Sequence, residues 1–139
     1  MLYARIDLAK TDYEVLEDKK ILRKKPIEKL NKIYYQYCKY KKFPSVMPLF
    51  DSEYEKNEVI GYYHNGELVA FSIMILHDKH NVEAFQFAWD YAKPKLALGI
   101  KSLKSECAYY KKRGFKFLYL GEAHEYKKKI KGFEILGPA

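Results

Sequence analysis

The stretch Val82–Gly121 reads VEAFQFAWDYAKPKLALGIKSLKSECAYYKKRGFKFLYLG, and its punctuation decides the architecture. An apolar, alternating run from Val82 to Tyr91 predicts a strand. Pro94 breaks it. Beyond the proline, Leu96, Ile100, Leu103, Cys107 and Tyr110 recur at helical spacing, with Lys101, Lys104, Lys111 and Lys112 on the other faces. Arg113-Gly114 ends that helix, Gly114 being suited to a left-handed C′ position. Phe115–Leu120 then predicts a second strand. Strand, loop, helix and strand make a βαβ-like unit, whose helix N-terminus is a natural place to hold an anion because its first N–H groups lack helical partners.

Outward from this unit, the preceding residues predict a meander. Glu58–His64 and Glu67–Leu76 are apolar runs joined by Asn65-Gly66, a pair that supplies two left-handed positions and so signals a hairpin. Asp78–Asn81 (DKHN) is turn material leading into the Val82 strand. Further back, Leu2–Ile6 predicts a short strand, and Thr11 or Asp12 is expected to cap a brief helix through Tyr13, Val15 and Leu16. The dense basic run Lys19–Lys25 (KKILRKK) is expected on a loop or helix end. Pro26, with Glu28 in the first turn, starts a helix whose apolar stripe is Ile27, Leu30, Tyr34, Tyr37 and Cys38. Its aromatic residues fit packing, with base stacking the alternative. Phe43–Glu55, with Pro44 and Pro48, reads as an ordered loop. At the carboxyl end come Glu122, His124, Glu125 and Tyr126, a basic run Lys127–Lys131, and a last strand Phe133–Leu136.

The 139 residues are most simply one domain, 1–139, with enough apolar residues for a core. The net charge of +8 suits an anionic partner such as nucleic acid or a phosphorylated cofactor, though a merely soluble basic surface would carry it too. Cys38 and Cys107 lie far apart on predicted helices, with no CxxC and no histidine at ligand spacing, so they read as reduced packing residues and no metal site is expected. His64, His77 and His80 fall in or beside turns. No apolar run is long enough for a bilayer, and the N-terminus has no signal-peptide pattern; a cytoplasmic protein without a membrane partner is expected.

The resulting element order resembles the GNAT acyltransferase fold, an α+β architecture with a mostly antiparallel mixed sheet flanked by helices. That resemblance implies a loop before the central helix that cradles a cofactor pyrophosphate, with the pattern Q/R-x-x-G-x-G/A. Gly99 fills the first glycine, Leu96 stands for Gln or Arg, and Lys101 stands for the second small residue. A lysine there restricts backbone approach to a phosphate, which weighs against acetyl-CoA.

A second resemblance covers roughly the last sixty residues. Asp90-Tyr91-Ala92-Lys93-Pro94-Lys95-Leu96-Ala97-Leu98-Gly99 is similar to the D-P-D-Y-S-F-L-S-L-G segment in the C-terminal half of arginyl-tRNA–protein transferases, with Asp90, Leu96, Leu98 and Gly99 in register. Tyr119-Leu120-Gly121, Tyr126-Lys127 and Glu134-Ile135-Leu136-Gly137-Pro138 are similar to that family's Y-L-G, Y-K and E-L-L-C-P. Ala97 replaces a serine and Gly137 a cysteine. The resemblance implies an aminoacyl group taken from charged tRNA, with no tightly bound cofactor, and delivered to an amine on a protein or peptide; acetyl-CoA is the alternative donor. A non-catalytic RNA- or protein-binding module of the same fold is a third reading.

Transfer to an amine needs a base, an oxyanion site and a proton for the leaving group. Glu122, at a strand's carboxyl end, is the candidate base. His124, whose unperturbed pKa is about 6.5, is the alternative. Tyr126 is the candidate general acid, in the segment where many GNAT enzymes place such a tyrosine. Asp90 and Tyr91 are candidate substrate contacts, Asp90 by its matched family position. Leu98, Gly99, Ile100, Lys101, Lys104, Lys127 and Lys128 are the candidate cofactor or tRNA-phosphate contacts. The bland readings are solvated loop residues for Glu122 and His124, a core anchor for Tyr126 and a turn cap for Asp90. The three basic segments are expected to converge on one side as a phosphate-tracking surface.

Overall fold

The structure, a computed structural model, describes residues 2–17, 19–22, 26–43, 57–90, 98–122 and 125–138. Among them seven strands form one sheet in the order β2-β3-β4-β5-β6-β1-β7. In chain order these are β1 (Leu2–Asp7), β2 (Lys19–Ile21), α1 (Ile27–Lys41), β3 (Glu58–His64), β4 (Glu67–Leu76), β5 (Asn81–Trp89), α2 (Leu98–Lys112), β6 (Phe117–Glu122) and β7 (Phe133–Pro138). Short 3-10 helices occupy Leu8–Lys10 and Glu125–Lys129.

The meander forms as its sequence predicts. β3 and β4 pair antiparallel through a turn in which Asn65 (φ 51°) and Gly66 (φ 78°) are both left-handed, and β5 adds antiparallel to β4. β5 and β6 run parallel, so α2 is their crossover. α2 ends in a paired closure: Phe115 N–H donates to Tyr110 C=O at 3.0 Å and Gly114 N–H to Lys111 C=O at 3.0 Å. Gly114, at φ 92°, permits it. The Tyr110 and Phe115 rings then meet edge to face, 5.4 Å apart.

Alternation along the strands splits the core into two layers. On one face Ile60, Tyr62, Met74, Val82 and Leu118 pack under Leu103, Cys107 and Tyr110 of α2. On the other, Val59, Phe71, Ile73 and Ala88 pack under Leu30, Ile33, Tyr34 and Cys38 of α1. Both cysteines are buried and reduced.

Four local expectations are corrected. Thr11–Leu16 forms no helix; two of its backbone groups are taken up by α2, distant in sequence. Leu16 N–H donates to Ser105 Oγ of α2 at 3.0 Å, the Lys111 ammonium bonds the Thr11 carbonyl, and the Thr11 hydroxyl turns back to Leu8 C=O at 2.7 Å. Only Leu8–Lys10 is helical there, capped by the Asp7 carboxylate on Ala9 N–H. The basic run at Lys19 begins as an edge strand, because Lys19–Ile21 find β3 as a partner and Leu22 is buried. β6 starts at Phe117 rather than Phe115, since Phe115 completes the helix closure and Lys116 and Phe117 donate to His80 C=O. Lys104 is half-buried, not fully exposed. The loop read at Phe43–Glu55 falls, beyond Phe43, outside the described residues.

Candidate active site

β5 and β6 are bonded at three positions only, Asn81↔Phe117, Val82↔Leu118 and Glu83↔Tyr119. Beyond that they part. β5 continues to Trp89 along β4, with Ala70↔Trp89 as the last pair, while β6 continues to Glu122 along β1, with Tyr3↔Glu122. A cleft therefore opens between the carboxyl halves of two neighbouring strands.

The expected residues are placed as follows. Glu122 is the last residue of β6, on the cleft's β6 wall. Asp90 directly follows β5; it is 6% exposed, and its N–H donates to Val69 C=O at 2.8 Å. Leu98, Gly99 and Ile100 form the first turn of α2, which carries no acidic side chain, and exposed Lys101 follows them. A first turn without acidic side chains suits an anion at the positive end of the helix dipole. Tyr126, Lys127 and Lys128 lie on the 3-10 helix Glu125–Lys129, just past β6. Tyr91 and His124 lie outside the described residues.

Where α2 packs on β3 and β4, it carries a buried polar cluster that the sequence reading did not anticipate. The Glu106 carboxylate, 3% exposed, accepts from the Tyr62 hydroxyl at 2.5 Å and the Ser72 hydroxyl at 2.7 Å. Burial pushes the Glu106 carboxyl up to about 7, against the opposing pull of those two hydrogen bonds and the positive charge of Lys127. Lys127 thus couples the short helix after β6 to the middle of α2. Burial likewise raises the Tyr62 phenol well above its ordinary range. The signal was present: Glu106 stands three residues after Leu103 and four before Tyr110, on the apolar stripe.

The basic segments converge in part. The Lys104 ammonium lies 5.4 Å from the centre of the Tyr13 ring, and the Tyr13 hydroxyl accepts from Lys131 N–H at 3.0 Å, so α2 and the end of the 127–131 run share one tyrosine. Lys131 is itself paired with Asp12 at 2.9 Å. Lys19 lies elsewhere, over the Tyr109 ring at 3.9 Å near the carboxyl end of α2, where burial lowers its pKa. Arg23, Lys24 and Lys25 fall outside the described residues. Among the described residues no group of three His, Cys, Asp or Glu side chains could hold a metal, and no helix is long and apolar enough to cross a membrane.

With this geometry in place, comparison with known proteins is informative. The sequence model of the family described as "Arginine-tRNA-protein transferase, C terminus" matches residues 14–136. No curated protein matches the sequence. Among solved structures, the C-terminal domain (DUF2156) of a provisionally assigned lysylphosphatidylglycerol synthetase from Agrobacterium fabrum superposes with a TM-score of 0.71 at 10% identity, over 88% of this chain and 46% of that one. A provisionally assigned GNAT-family acetyltransferase from Novosphingobium aromaticivorans gives 0.70 at 13%, over 98% and 60%. A GCN5-related N-acetyltransferase from Kribbella flavida gives 0.53 at 12%, over 99% and 57%. Likeness at this identity shows the GNAT fold. The chain spans between about half and three fifths of the length of these structures.

Proposed function

Since the chain belongs to the family of the arginine-tRNA-protein transferase C terminus, we propose that it moves an aminoacyl group from charged tRNA to an amine on a protein or peptide. One observation carries the reading. In a chain with that family match, β5 and β6 part after Glu83 and Tyr119, leaving a cleft with Glu122 on one wall and the acid-free first turn of α2 following the other.

The chemistry asks little beyond placement. The acceptor's ammonium gives a proton to the Glu122 carboxylate, with His124 as the alternative base. The amine lone pair then attacks the ester carbon, and a tetrahedral oxyanion forms. The carbon–oxygen ester bond breaks, the ribose oxygen leaves with a proton from the Tyr126 hydroxyl, and the attacking nitrogen's second proton restores that hydroxyl, so that a neutral amide remains. Asp90, buried at the end of β5, supplies a negative charge for the α-ammonium of the aminoacyl group. The lysines of α2 and of the 127–131 run meet the acceptor-stem phosphates, which a protein reads by backbone and shape.

The test is transfer itself. Purified protein, tRNA charged with labelled amino acids and a protein or peptide amine should yield labelled amide. Glu122→Gln and Tyr126→Phe should lose turnover while retaining tRNA binding. A calorimetric titration with acetyl-CoA at low and moderate salt runs beside it. Saturable binding that survives salt would move the reading to an acetyltransferase, whereas tRNA binding without transfer would make the chain a binding module.

A further inference from the structure

At the closed end of the splay, the sheet holds a hollow of about 450 Å³, whose lining includes Tyr3, His77, Asp78, Glu83, Tyr119 and Leu136. Its floor is the last bonded pair of the parallel ladder, Glu83↔Tyr119, and its rim includes Tyr3, whose strand partner is Glu122. The hollow thus reaches from the crotch of the cleft to the strand position beside the candidate base.

Its chemistry runs against that of the chain. In a protein of net charge +8, the ionisable groups among the described lining residues of this hollow are two carboxylates, one imidazole and two phenols. Arg5, which reaches Tyr119, is committed: its guanidinium lies 2.9 Å from Glu134 and 3.3 Å from the Tyr119 hydroxyl, stacked 3.9 Å over Phe117. The Asp78 carboxylate is turned into its own loop, accepting from the backbone of His80 and Asn81 and from the Asn81 amide. Glu83 is the other carboxylate of the lining, and one of its oxygens is paired with the His77 ring at 2.8 Å. Apart from Asn81, whose amide is held by Asp78, the rest of the described lining is aromatic or apolar: Tyr3 is 37% exposed and Leu136 48%. A carboxylate framed by tyrosine rings attracts a compact cation through charge and through the ring faces, and repels phosphate.

We propose that this hollow seats the acceptor as a primary ammonium, with Glu83 as its counter-charge and Tyr3 and Tyr119 as its walls. The assignment of the occupant as acceptor rests on the transferase reading above. It gives the two substrates separate entrances: the anionic donor along the lysines of α2, and the cationic acceptor through a hollow that has no lysine or arginine among its described lining residues. Glu83 binds the ammonium; the proton that must leave before attack goes to the base on the cleft wall.

The test reads binding without any donor. Nα-acetyl-lysine amide, which carries a side-chain ammonium, and alanine amide, which carries an α-ammonium, are titrated into isotopically labelled protein. Nα-acetyl-norleucine amide, uncharged and of similar length, is the control. Amide resonances of Tyr3, His77, Glu83 and Tyr119 should move with an ammonium probe and stay with the control, and the tighter ammonium names the source. Glu83→Gln should weaken the ammonium probe about fivefold, the loss expected of one partly exposed charge pair. The same spectrum reports that the variant is folded, and Tyr3→Ala at the rim should also weaken the probe. Equal response to control and ammonium, or binding indifferent to Glu83→Gln, overturns the proposal. Aminoacyl transfer indifferent to Glu83→Gln overturns the hollow and leaves the transferase standing. Ammonium bound at the hollow with no transfer from any charged tRNA leaves the hollow standing as an amine site and overturns the transferase.

Discussion

The hydroxyl of Tyr62, on β3, donates to the carboxylate of Glu106, on α2, across 2.5 Å of otherwise apolar core. Ser72 of β4 donates to the same oxygen at 2.7 Å, so one carboxylate ties the helix to two strands. Glu106 titrates at about 7 in the folded protein because burial disfavours its charge. An unfolded glutamate titrates lower, so the folded state holds the proton more tightly and stability falls as pH rises between the two values. The fall amounts to about 3 kcal/mol and is complete above the folded pKa. Glu106→Gln removes this slope. Urea unfolding at pH 5 and pH 8 should show the variant gaining stability relative to the parent chain at the higher pH. Parallel profiles would mean that Glu106 does not titrate in this window.

Glu58 is the second tie between α2 and the sheet. Its Oε1 accepts from the Tyr110 hydroxyl at 2.6 Å and from Arg113 at 2.7 Å, joining the last turn of the helix to the start of β3. Glu58→Ala leaves a buried phenol without this acceptor, at a cost of about 1–3 kcal/mol. Tyr110→Phe with Glu58→Ala should cost less than the sum of the two single changes, because the phenol and the acceptor are lost together. Thermal melts of the three variants measure this coupling; strict additivity would deny it.

Two left-handed glycines separate conformational cost from collision. Gly66, at φ 78°, has open space where a Cβ would stand, so Gly66→Ala should cost about 1 kcal/mol, the strain of a left-handed alanine. At Gly132, with φ 81°, a Cβ would lie 2.4 Å from the Asp7 carbonyl oxygen. Asp7 N–H also donates to the Gly132 carbonyl at 2.9 Å, so β1 cannot shift away without losing a bond. Gly132→Ala should therefore destabilise the chain several times more than Gly66→Ala. Equal midpoint shifts in denaturant would contradict the close approach of β1 to the turn before β7.

Much of this fold was legible because its signals are local. Asn65-Gly66 carries its turn in its own backbone preferences, and Arg113-Gly114 closes α2 within six residues. What failed depends on partners far along the chain. Thr11–Leu16 has a helix-start composition, but Ser105 and Lys111 of α2 satisfy its backbone instead. Lys19–Ile21 is too short and too charged to announce a strand, and exists as one because β3 pairs with it. The placement of Glu122 at the end of β6 followed from the strand pattern. Glu106 was passed over because a helical period records position and not which polar partners wait across the core. Glu83 and Tyr119 are alike ordinary strand residues; only the parting of β5 and β6 beside them makes a hollow.

If charged tRNA is the donor, its contacts should follow the lysines that share Tyr13. Lys101 is exposed on the first part of α2, and Lys104 reaches the Tyr13 ring, whose hydroxyl takes the backbone of Lys131. Each phosphate contact releases counterions, so binding weakens with salt in proportion to the number of contacts. Lys101→Ala combined with Lys104→Ala should lower tRNA affinity at every salt concentration and flatten the salt slope by about one to two units. Lys39→Ala, on the exposed face of α1 across the sheet, should leave the slope near its parent value. Fluorescence anisotropy with labelled tRNA from low to moderate salt measures all three proteins. A slope unchanged by the α2 pair but reduced by Lys39→Ala would move the nucleic-acid surface to the α1 face, and would put the donor on the same side as the α1 core layer instead of along α2.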